Sequence, residues 1–269
     1  MSRVIVITSG KGGVGKTTVT ANLGMSLARL GYKTIVVDAD IGLRNLDLLL
    51  GLENRVIYTI LEVLSGECSL EQALIKDKRQ PNLSLLPAAQ NRNKDCISCD
   101  QIRNLMSILE KVYEYILIDC PAGIETGFHN AISSAREAIV VTTPEIAAVR
   151  DADRVIGLLE ANGIQKIFLL LNRFRPEMVK SNDMMSVEDV REILAIPLLG
   201  VIPEDESVIV STNRGEPLVL GKKISLPGLA FENMAYRLEG QNVDFINFDL
   251  HSKNPLKRIK NFFLGPTTT

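Results

Sequence analysis

Short apolar runs alternate with longer amphipathic patterns along most of this chain. The short runs are rich in β-branched and aliphatic residues, which is typical of strands buried on both faces of a parallel sheet. The longer patterns repeat apolar residues with the period of a helix. The pattern predicts strands at 4–8, 33–38, 83–86, 115–119, 138–142, 166–172 and 198–202, and helices at 18–30, 58–76, 145–162, 186–194 and 229–238.

This alternation predicts one α/β domain, a doubly wound and mostly parallel sheet flanked by helices. No repeat or linker interrupts it before about residue 240, so the domain is expected to span residues 1–240. Residues 91–100 are predicted as a polar loop. Residues 241–253 are polar and predict a flexible tether, and residues 254–264 carry a separate pattern.

Composition narrows the classes of protein. Of the 269 residues, 46% are hydrophobic, which is ample for a buried core. A net charge of −2 argues against a molecule that binds nucleic acid through overall positive charge. No apolar run reaches the length of about 18 residues that a membrane span needs. The first strand is predicted so near the start that we expect neither a signal peptide nor a transit peptide.

The four cysteines are too few to form a disulfide scaffold in a chain of this length. Cys96 and Cys99 have the spacing of half a metal or redox site, but no second pair and no nearby histidine completes four ligands. Chance spacing is the preferred interpretation of this pair, and an iron–sulfur role across a dimer stays open.

Residues 9–18, SGKGGVGKTT, lie between the first predicted strand and the first predicted helix. They contain the Gly-x-x-x-x-Gly-Lys-Thr pattern of a phosphate-binding loop, in which backbone N–H groups and a helix N-terminus face phosphate oxygens. Lys16 is expected to neutralise the β- and γ-phosphates of ATP, and Thr17 to bind Mg²⁺. A glycine-rich turn that binds nothing is the alternative. The predicted nucleotide contacts in the loop are Gly10, Lys11, Gly12, Gly13, Val14, Gly15, Lys16, Thr17 and Thr18.

Three aspartates follow predicted strands at the edge where a parallel sheet binds ligands. Asp38 and Asp40 stand two residues apart, and an extended chain would turn both toward the phosphates. Asp119 ends the apolar run YILID, the layout of a Walker B segment that holds Mg²⁺ through water. Gly42 and its polar neighbours suggest a nucleotide-sensing switch, with a solvated loop as the alternative.

Three more residues are predicted at the same edge, near the ends of two later strands. The amide of Asn172 has the donor and acceptor groups needed to pair with a purine. Pro203 and Glu204 follow the next strand. Binding of the base and simple capping of the loops explain these positions equally well.

The segment 254–264, NPLKRIKNFFL, is basic and amphipathic. At about 100° per residue its apolar side chains fall within an arc of roughly 120°, away from the basic ones. Phenylalanines beside a basic face favour an anionic membrane surface, whereas a helix docked on the domain is the alternative. The predicted membrane contacts are Leu256, Lys257, Arg258, Ile259, Lys260, Phe262 and Phe263.

Together these segments resemble the MinD/ParA family of ATPases, in particular its septum-site-determining branch in bacteria and plastids. The resemblance covers nearly the whole chain, and DLLLGLENRV favours the cyanobacterial and plastid lineage. It rests on SGKGGVGKTT at 9–18, VVDADIGLRNLDLLLG at 36–51, ALIKDKR at 73–79, IDCPAGIETG at 118–127, TTPE at 142–145, VRDADR at 149–154, MMSVEDV at 184–190, GVIPED at 200–205 and the amphipathic tail.

The resemblance implies an ATPase that forms a homodimer on binding ATP, attaches to a membrane by its tail and recruits a MinC-type division inhibitor. A MinE-type partner would stimulate hydrolysis to ADP and phosphate. The protein would be cytoplasmic and peripheral on the inner face of the inner membrane, or would lie in the chloroplast stroma and at the inner envelope if plastid-encoded.

The same resemblance implies a role for each charged residue of the site. Lys11 would contact the partner's nucleotide and Asp40 would position or activate the attacking water, so that Lys11, Lys16 and Asp40 form the catalytic set. The metal ligands would be Thr17, Asp38 and Asp119.

Three other functions share some of these features. A ParA-type ATPase that partitions DNA needs a basic DNA-binding surface, but here the concentrated positive charge lies among phenylalanines, which favours lipid and makes nucleic acid an unlikely partner. An Mrp-type iron–sulfur carrier shares the phosphate loop, and bound iron would support it. A nucleotide-sensing scaffold is the third, and ATP turnover with lipid and activator would exclude it.

Overall fold

The computed structural model describes residues 2–90, 98–221 and 224–248, and its centre is one eight-stranded sheet. The strands are β1 (Arg3–Thr8), β2 (Thr34–Asp38), β3 (Ile75–Lys76), β4 (Leu83–Leu86), β5 (Tyr115–Asp119), β6 (Glu137–Thr142), β7 (Lys166–Phe174) and β8 (Leu198–Pro203). Their order is β3-β4-β2-β5-β1-β6-β7-β8, and the β3–β4 pair alone is antiparallel among the described strands. The predicted fold class is confirmed.

Helices cover both faces of this sheet. The helices are α1 (Lys16–Arg29), α2 (Leu46–Leu49), α3 (Ile60–Leu64), α4 (Leu70–Ala73), α5 (Cys99–Leu109), α6 (Thr126–Ile132), α7 (Ile146–Ala161), α8 (Pro176–Lys180), α9 (Val187–Leu194), α10 (Glu206–Arg214) and α11 (Leu226–Leu238). One apolar cluster joins the sheet to α5, α6, α7 and α9, and the other joins it to α1 and α11.

The central strand β1 shows why its run is apolar throughout. Val4 and Val6 belong to the first cluster, and Ile5 and Ile7 belong to the second, because successive side chains of a strand face opposite sides of the sheet. β1 lies between β5 and β6, and the later strands are added on both sides of it. The loop after β1 therefore lies at the crevice where the strand order reverses, which is the usual ligand site of such sheets.

At the amino end of the sheet, one buried carboxylate lies between two cations of the protein. The Arg3 guanidinium donates to both carboxylate oxygens of Glu137 at 2.9 and 2.5 Å, and to the Tyr115 hydroxyl at 3.0 Å. Lys166 Nζ lies 3.0 Å from Glu137 Oε2. Burial raises the pKa of Glu137, but the hydrogen bonds and charges of Arg3 and Lys166 outweigh it, so this pKa lies below its ordinary value.

The single helix predicted at 58–76 is wrong. The region forms α3, α4 and β3, and a turn with Gly66 at φ 78° separates the two helices. Thr59 and Ser69 each begin a helix with a capping box. The left-handed glycine ends the first helix and the second cap starts the next, so one continuous helix cannot form.

The polar loop predicted at 91–100 ends earlier than expected, because α5 begins at Cys99 behind the cap residue Ser98. Residues 91–97 lie outside the described residues. The apolar spacing of Ile102, Leu105, Met106 and Leu109, all buried, was a helical signal that the sequence did contain. Helices α2, α6, α8 and α10 were not predicted either.

Residues 241–248 are held against the sheet, although they fall within the predicted tether. Arg237 donates to the carbonyl oxygens of Val243 and Asp244, both at 2.8 Å. The rings of Phe174 and Phe248 lie 5.3 Å apart. We call residues 241–248 the strap, and the flexible tether at residues 241–253 stays a prediction.

Candidate nucleotide-binding site

The phosphate loop joins β1 to α1 in a conformation that depends on glycine at two positions. A Cβ on Gly10 would lie 2.4 Å from backbone atoms of Asp151 in α7, so only glycine allows that approach. Gly15 precedes α1 with φ 100°, and a Cβ there would lie 2.4 Å from Asn172 Nδ2. The loop is therefore fitted tightly between α7 and β7, with the N-terminus of α1 directed into it.

Lys16 is the buried cation of this loop, and 8% of its surface is exposed. Its Nζ donates to Ser9 Oγ at 2.9 Å, and the Ser9 hydroxyl donates to the carbonyl oxygen of Lys11 at 2.7 Å. A buried ammonium needs an anionic partner, and one neutral hydroxyl compensates it only in part. This arrangement suits a phosphate group, as the sequence predicted.

Asp38 and Asp119 lie side by side, because the last residues of β2 and β5 are partners in the parallel register. Each is about 1% exposed. Burial and then the charge of Asp119 raise the pKa of Asp38 to about 8. Burial also raises the pKa of Asp119 to about 7, although hydrogen bonds from Thr17 and Thr20 and the charge of Lys16 act against it.

Two adjacent buried carboxylates favour a cation, and the hydroxyl of Thr17 on one of them completes a set of hard oxygen donors. These residues therefore fit Mg²⁺ at the places where the sequence predicted them. Thr20 is an addition that sequence reasoning missed. Its hydroxyl lies 3.2 Å from Asp119 Oδ1, and its position one helical turn after Lys16 was the available signal.

Asp40 lines an open cleft of about 750 Å³ together with most of the loop. The chain is not extended here, since β2 ends at Asp38, whose Oδ1 accepts from the Asp40 backbone N–H at 3.0 Å. Asp38 Oδ2 accepts from Leu46 N–H at 3.3 Å, so Asp38 holds both ends of the turn that carries Asp40. The loop residues that share this cleft are Gly12, Gly13, Gly15, Lys16, Thr17 and Thr18.

Three predicted loop residues are outside the described lining of this cleft: Gly10, which packs against Asp151, and Lys11 and Val14. The Val14 side chain is 4% exposed and packs in the second apolar cluster, so the backbone of Val14, and not its side chain, is the part that faces a ligand in the loop. Lys11 does not belong to the described lining of the cleft, and its Nζ lies 3.8 Å from Glu145 Oε2. Both of these side chains are at least half exposed.

A second cleft of about 710 Å³ adjoins the first through Gly15 and Thr18. It contains all three residues predicted near the base, Asn172, Pro203 and Glu204. Strand β7 continues two residues beyond Asn172, whose Nδ2 donates to the Val14 carbonyl oxygen at 2.7 Å. Asn172 thus supports the phosphate loop, a role that the sequence did not indicate.

Glu204 is not an isolated acceptor at this cleft. Its Oε2 lies 2.5 Å from Arg175 Nε, and this hydrogen bond is the main cause of a pKa below the usual value of Glu204. Arg173, Arg175 and Phe248 also line the cleft. Their positions depend on how the ends of β7, β8 and the strap meet, which no local pattern indicates.

The remaining candidates are only partly described. Cys99 Sγ lies 3.2 Å from Asn130 Oδ1, Cys96 lies outside the described residues, and residues 2–90, 98–221 and 224–248 contain no cluster of three or more acidic, histidine or cysteine side chains that could hold a metal. The predicted membrane contacts at 254–264 also lie outside. None of the described helices is long and apolar enough to cross a membrane.

Comparisons with known proteins agree with this geometry. Residues 5–218 match the CobQ/CobB/MinD/ParA nucleotide binding domain. A relative from Guillardia theta, which carries the name septum site-determining protein MinD provisionally, is 76% identical over 268 residues and covers all of both chains. It is of the plastid lineage that the sequence favoured.

Two solved structures share the whole fold. MinD in the MinC:MinD complex of Aquifex aeolicus is 48% identical, with a TM-score of 0.85, over 91% of this chain and 99% of that one. MinD of Pyrococcus horikoshii complexed with Mg-ADP is 36% identical, with a TM-score of 0.81, over 89% of this chain and 96% of that one. The chain therefore belongs to the septum site-determining MinD family of P-loop ATPases.

Proposed function

We propose that this chain is an ATP-dependent, dimerising and membrane-associated ATPase that positions the division site by recruiting a division inhibitor. The observation that carries the proposal is the place of Lys11. This lysine belongs to the phosphate loop, yet its ammonium lies beside Glu145 and outside the cleft of its own chain. An exposed cation at that position is available to the nucleotide of a second copy.

The ion pair between Lys11 and Glu145 is weak enough to be exchanged. Both side chains are at least half exposed and the charges lie 3.8 Å apart, and such pairs contribute about 0–1 kcal/mol. Phosphate oxygens of a partner's ATP would offer Lys11 more negative charge in a drier site. Dimerisation on ATP is the expected consequence.

Within one chain the residues divide the work of phosphoryl transfer. Lys16 and the loop backbone would hold the phosphates of ATP, while Thr17, Asp38 and Asp119 would hold Mg²⁺, directly or through water. When bound, Mg²⁺ supplies charge neutralisation at the transferred phosphate. Asp40, carried on a turn that Asp38 anchors, would orient the attacking water. The relative from P. horikoshii was solved with Mg-ADP, which supports this choice of ligand.

The segment at 254–264 would attach the dimer to an anionic membrane. One segment has few apolar residues, so a single copy is a weak anchor. Two copies on one dimer act together and can gain roughly 10² to 10⁴ in avidity without a new contact. The ATPase domain would then be peripheral on the inner face of the inner membrane, or at the inner envelope in a plastid.

A MinC-type inhibitor is the proposed cargo, because the A. aeolicus relative was solved in a MinC:MinD complex. A MinE-type activator is proposed from the family resemblance alone. ATP would thus link three events, which are dimerisation, membrane attachment and binding of the inhibitor, and hydrolysis would reverse them.

The test measures mass by light scattering and liposome sedimentation, in ATP and in ADP. Wild type should be dimeric and sediment with anionic liposomes in ATP, and should be monomeric and stay in solution in ADP. Lys11→Ala should bind ATP but remain monomeric, and Lys111→Ala, at an exposed lysine after α5, should behave as wild type. A Lys11→Ala protein that dimerises and hydrolyses normally would contradict the proposal.

The membrane segment has its own test. Truncation after Asn254, or Phe262→Glu with Phe263→Glu, should leave dimerisation in ATP intact and remove liposome binding. Sedimentation of the truncated protein in ATP would place the membrane contact elsewhere.

A further inference from the structure

The strap runs from one end of the sheet to the other. Helix α11 ends at the amino end, where the Leu238 carbonyl oxygen accepts from Arg3 Nη1 at 2.6 Å. Phe248 lies at the carboxyl end, with its ring 5.3 Å from that of Phe174, the last residue of β7. The eight residues of the strap reach about 26 to 29 Å when extended, close to the length of about 30 Å of the nine residues of β7, so the strap must run nearly straight along this path.

Arg237 fastens the strap near its start. Its Nη1 donates to the Leu199 carbonyl oxygen of β8 at 3.0 Å, and its guanidinium lies 4.0 Å from the centre of the Phe245 ring. The same guanidinium holds the Val243 and Asp244 carbonyl groups. Ile246 then packs against the second apolar cluster. The strap therefore follows a defined course before it reaches the site.

Its far end meets the cleft that adjoins the phosphate loop. The backbone N–H of Glu204 donates to the Phe174 carbonyl oxygen at 3.0 Å, so the residue on which Phe248 packs is bonded to a residue of the cleft wall. Phe248 itself lines this cleft, as do Asn172 and Pro203. One aromatic side chain of the strap thus shares a cavity with the phosphate loop.

We propose that Phe248 is a base-contact residue and that the strap is part of the nucleotide site. A nucleobase is flat and aromatic, and a phenyl ring in the wall of its cleft offers contact without a hydrogen-bonding requirement. By linkage, binding of the base also stabilises the docked strap. This inference rests on the proposed binding of ATP, and it adds a segment that lies outside the matched nucleotide-binding domain, which ends at residue 218.

The experiment compares full-length wild type with Phe248→Ala, Phe248→Tyr and Asn242→Ala by calorimetry with Mg-ATP, Mg-ADP and tripolyphosphate. Phe248→Ala should weaken ATP and ADP binding about tenfold and leave tripolyphosphate binding unchanged, because the latter has no base. Phe248→Tyr keeps the ring and should stay within about twofold of wild type. Asn242→Ala is the matched control and should bind all three ligands as wild type does, since Asn242 is an exposed residue of the strap outside the described lining of the cleft.

Equal ATP affinity of Phe248→Ala and wild type would overturn the inference, and so would an equal loss for ATP and tripolyphosphate. A second measurement on wild type covers the case in which Phe248→Ala does not fold. Backbone hydrogen exchange of residues 241–248 should slow in ATP and not in tripolyphosphate, and no slowing in ATP would also overturn it. If wild type fails to bind ATP at all, the proposed function fails instead.

Discussion

Buried carboxylates at the two ends of the sheet have opposite surroundings. At the amino end, Glu137 lies between Arg3 and Lys166, and its pKa is below the ordinary value. At the carboxyl end, Asp38 and Asp119 lie beside each other, and burial raises the pKa of both. The protein compensates the first charge with two of its own cations, whereas the charge of Lys16 compensates the pair at the other end only in part.

The physical reason lies in the cost of burying charge. A buried carboxylate without a cation is unfavourable, so two adjacent ones persist only where function requires a cation to bind. We therefore expect the amino end to contribute to stability and the carboxyl end to give up stability for binding. Variants at the two ends should separate these properties.

The largest effect is expected for Lys16→Ala at the carboxyl end. Removing the buried ammonium should weaken Mg-ATP binding by about 1,000-fold, since it eliminates charge-assisted hydrogen bonds to the phosphates. The free energy of unfolding of the nucleotide-free protein should change by no more than about 2 kcal/mol, because the loss of one hydrogen bond to a hydroxyl and of a charge near Asp119 is offset by the removal of a buried ammonium. Calorimetry and denaturant unfolding measure the two quantities, and Lys111→Ala is the control. Normal ATP affinity would show that Lys16 does not contact the phosphates.

Asp40→Ala should stop turnover and keep binding. The hydrolysis rate should fall about 100-fold, as expected for loss of a positioned acid–base group. ATP should remain bound, and the dimer should persist in ATP. Phosphate release and light scattering measure these outcomes, and Asp100→Ala, an exposed aspartate in the first turn of α5, is the control. Unchanged turnover would move the water-positioning role to another residue.

Glu137→Gln tests the amino end. It should destabilise the protein by about 2 kcal/mol at pH 7, because Arg3 and Lys166 lose their shared anion. The folded pKa lies below the unfolded one, so this stabilisation exists above the unfolded pKa, near 4.5, and is lost as the pH falls through the folded value. Wild type and variant should converge in denaturant unfolding at low pH.

The affinity of the Glu137→Gln variant for Mg-ATP should equal that of wild type, and this measurement is the control for the variant. A weakened affinity for Mg-ATP would mean that the two ends of the sheet are coupled and would contradict their separation.

Asn172→Ala should have the smallest effect and distinguishes two roles for this residue. If Asn172 acts by holding the loop through the Val14 carbonyl, ATP and tripolyphosphate should both bind about fivefold more weakly, the value of one hydrogen bond. We expect that outcome. Loss of ATP affinity alone would instead assign the amide to the base.

Strand positions and the phosphate loop could be predicted from the sequence because both depend on local rules. The apolar run of β1 and the motif that follows it need no distant information. The helix predicted at 58–76 failed for a different reason. Gly66 and the caps at Thr59 and Ser69 are local signals in the sequence, and they outweigh the helical spacing of the apolar residues around them.

The residues of the candidate site could be predicted one by one, but the contacts between them could not. Asp38 and Asp119 were each placed at a strand end, but their direct pairing depends on the neighbouring positions of β2 and β5, which lie far apart in the sequence. The contact of Asn172 with Val14 likewise joins residues 158 positions apart. Local patterns contain no information on such pairs.

The sequence alone therefore determined the fold class, the phosphate loop and the acidic strand ends, since motif spacing and hydrophobic period are local properties of the chain. Only the tertiary structure decided that two carboxylates share one site, that Lys11 lies outside its own cleft, and that the strap brings Phe248 to it. These facts follow from strand order, register and the path of the chain across the sheet. They arise because packing of distant segments, rather than local preference, sets which side chains meet.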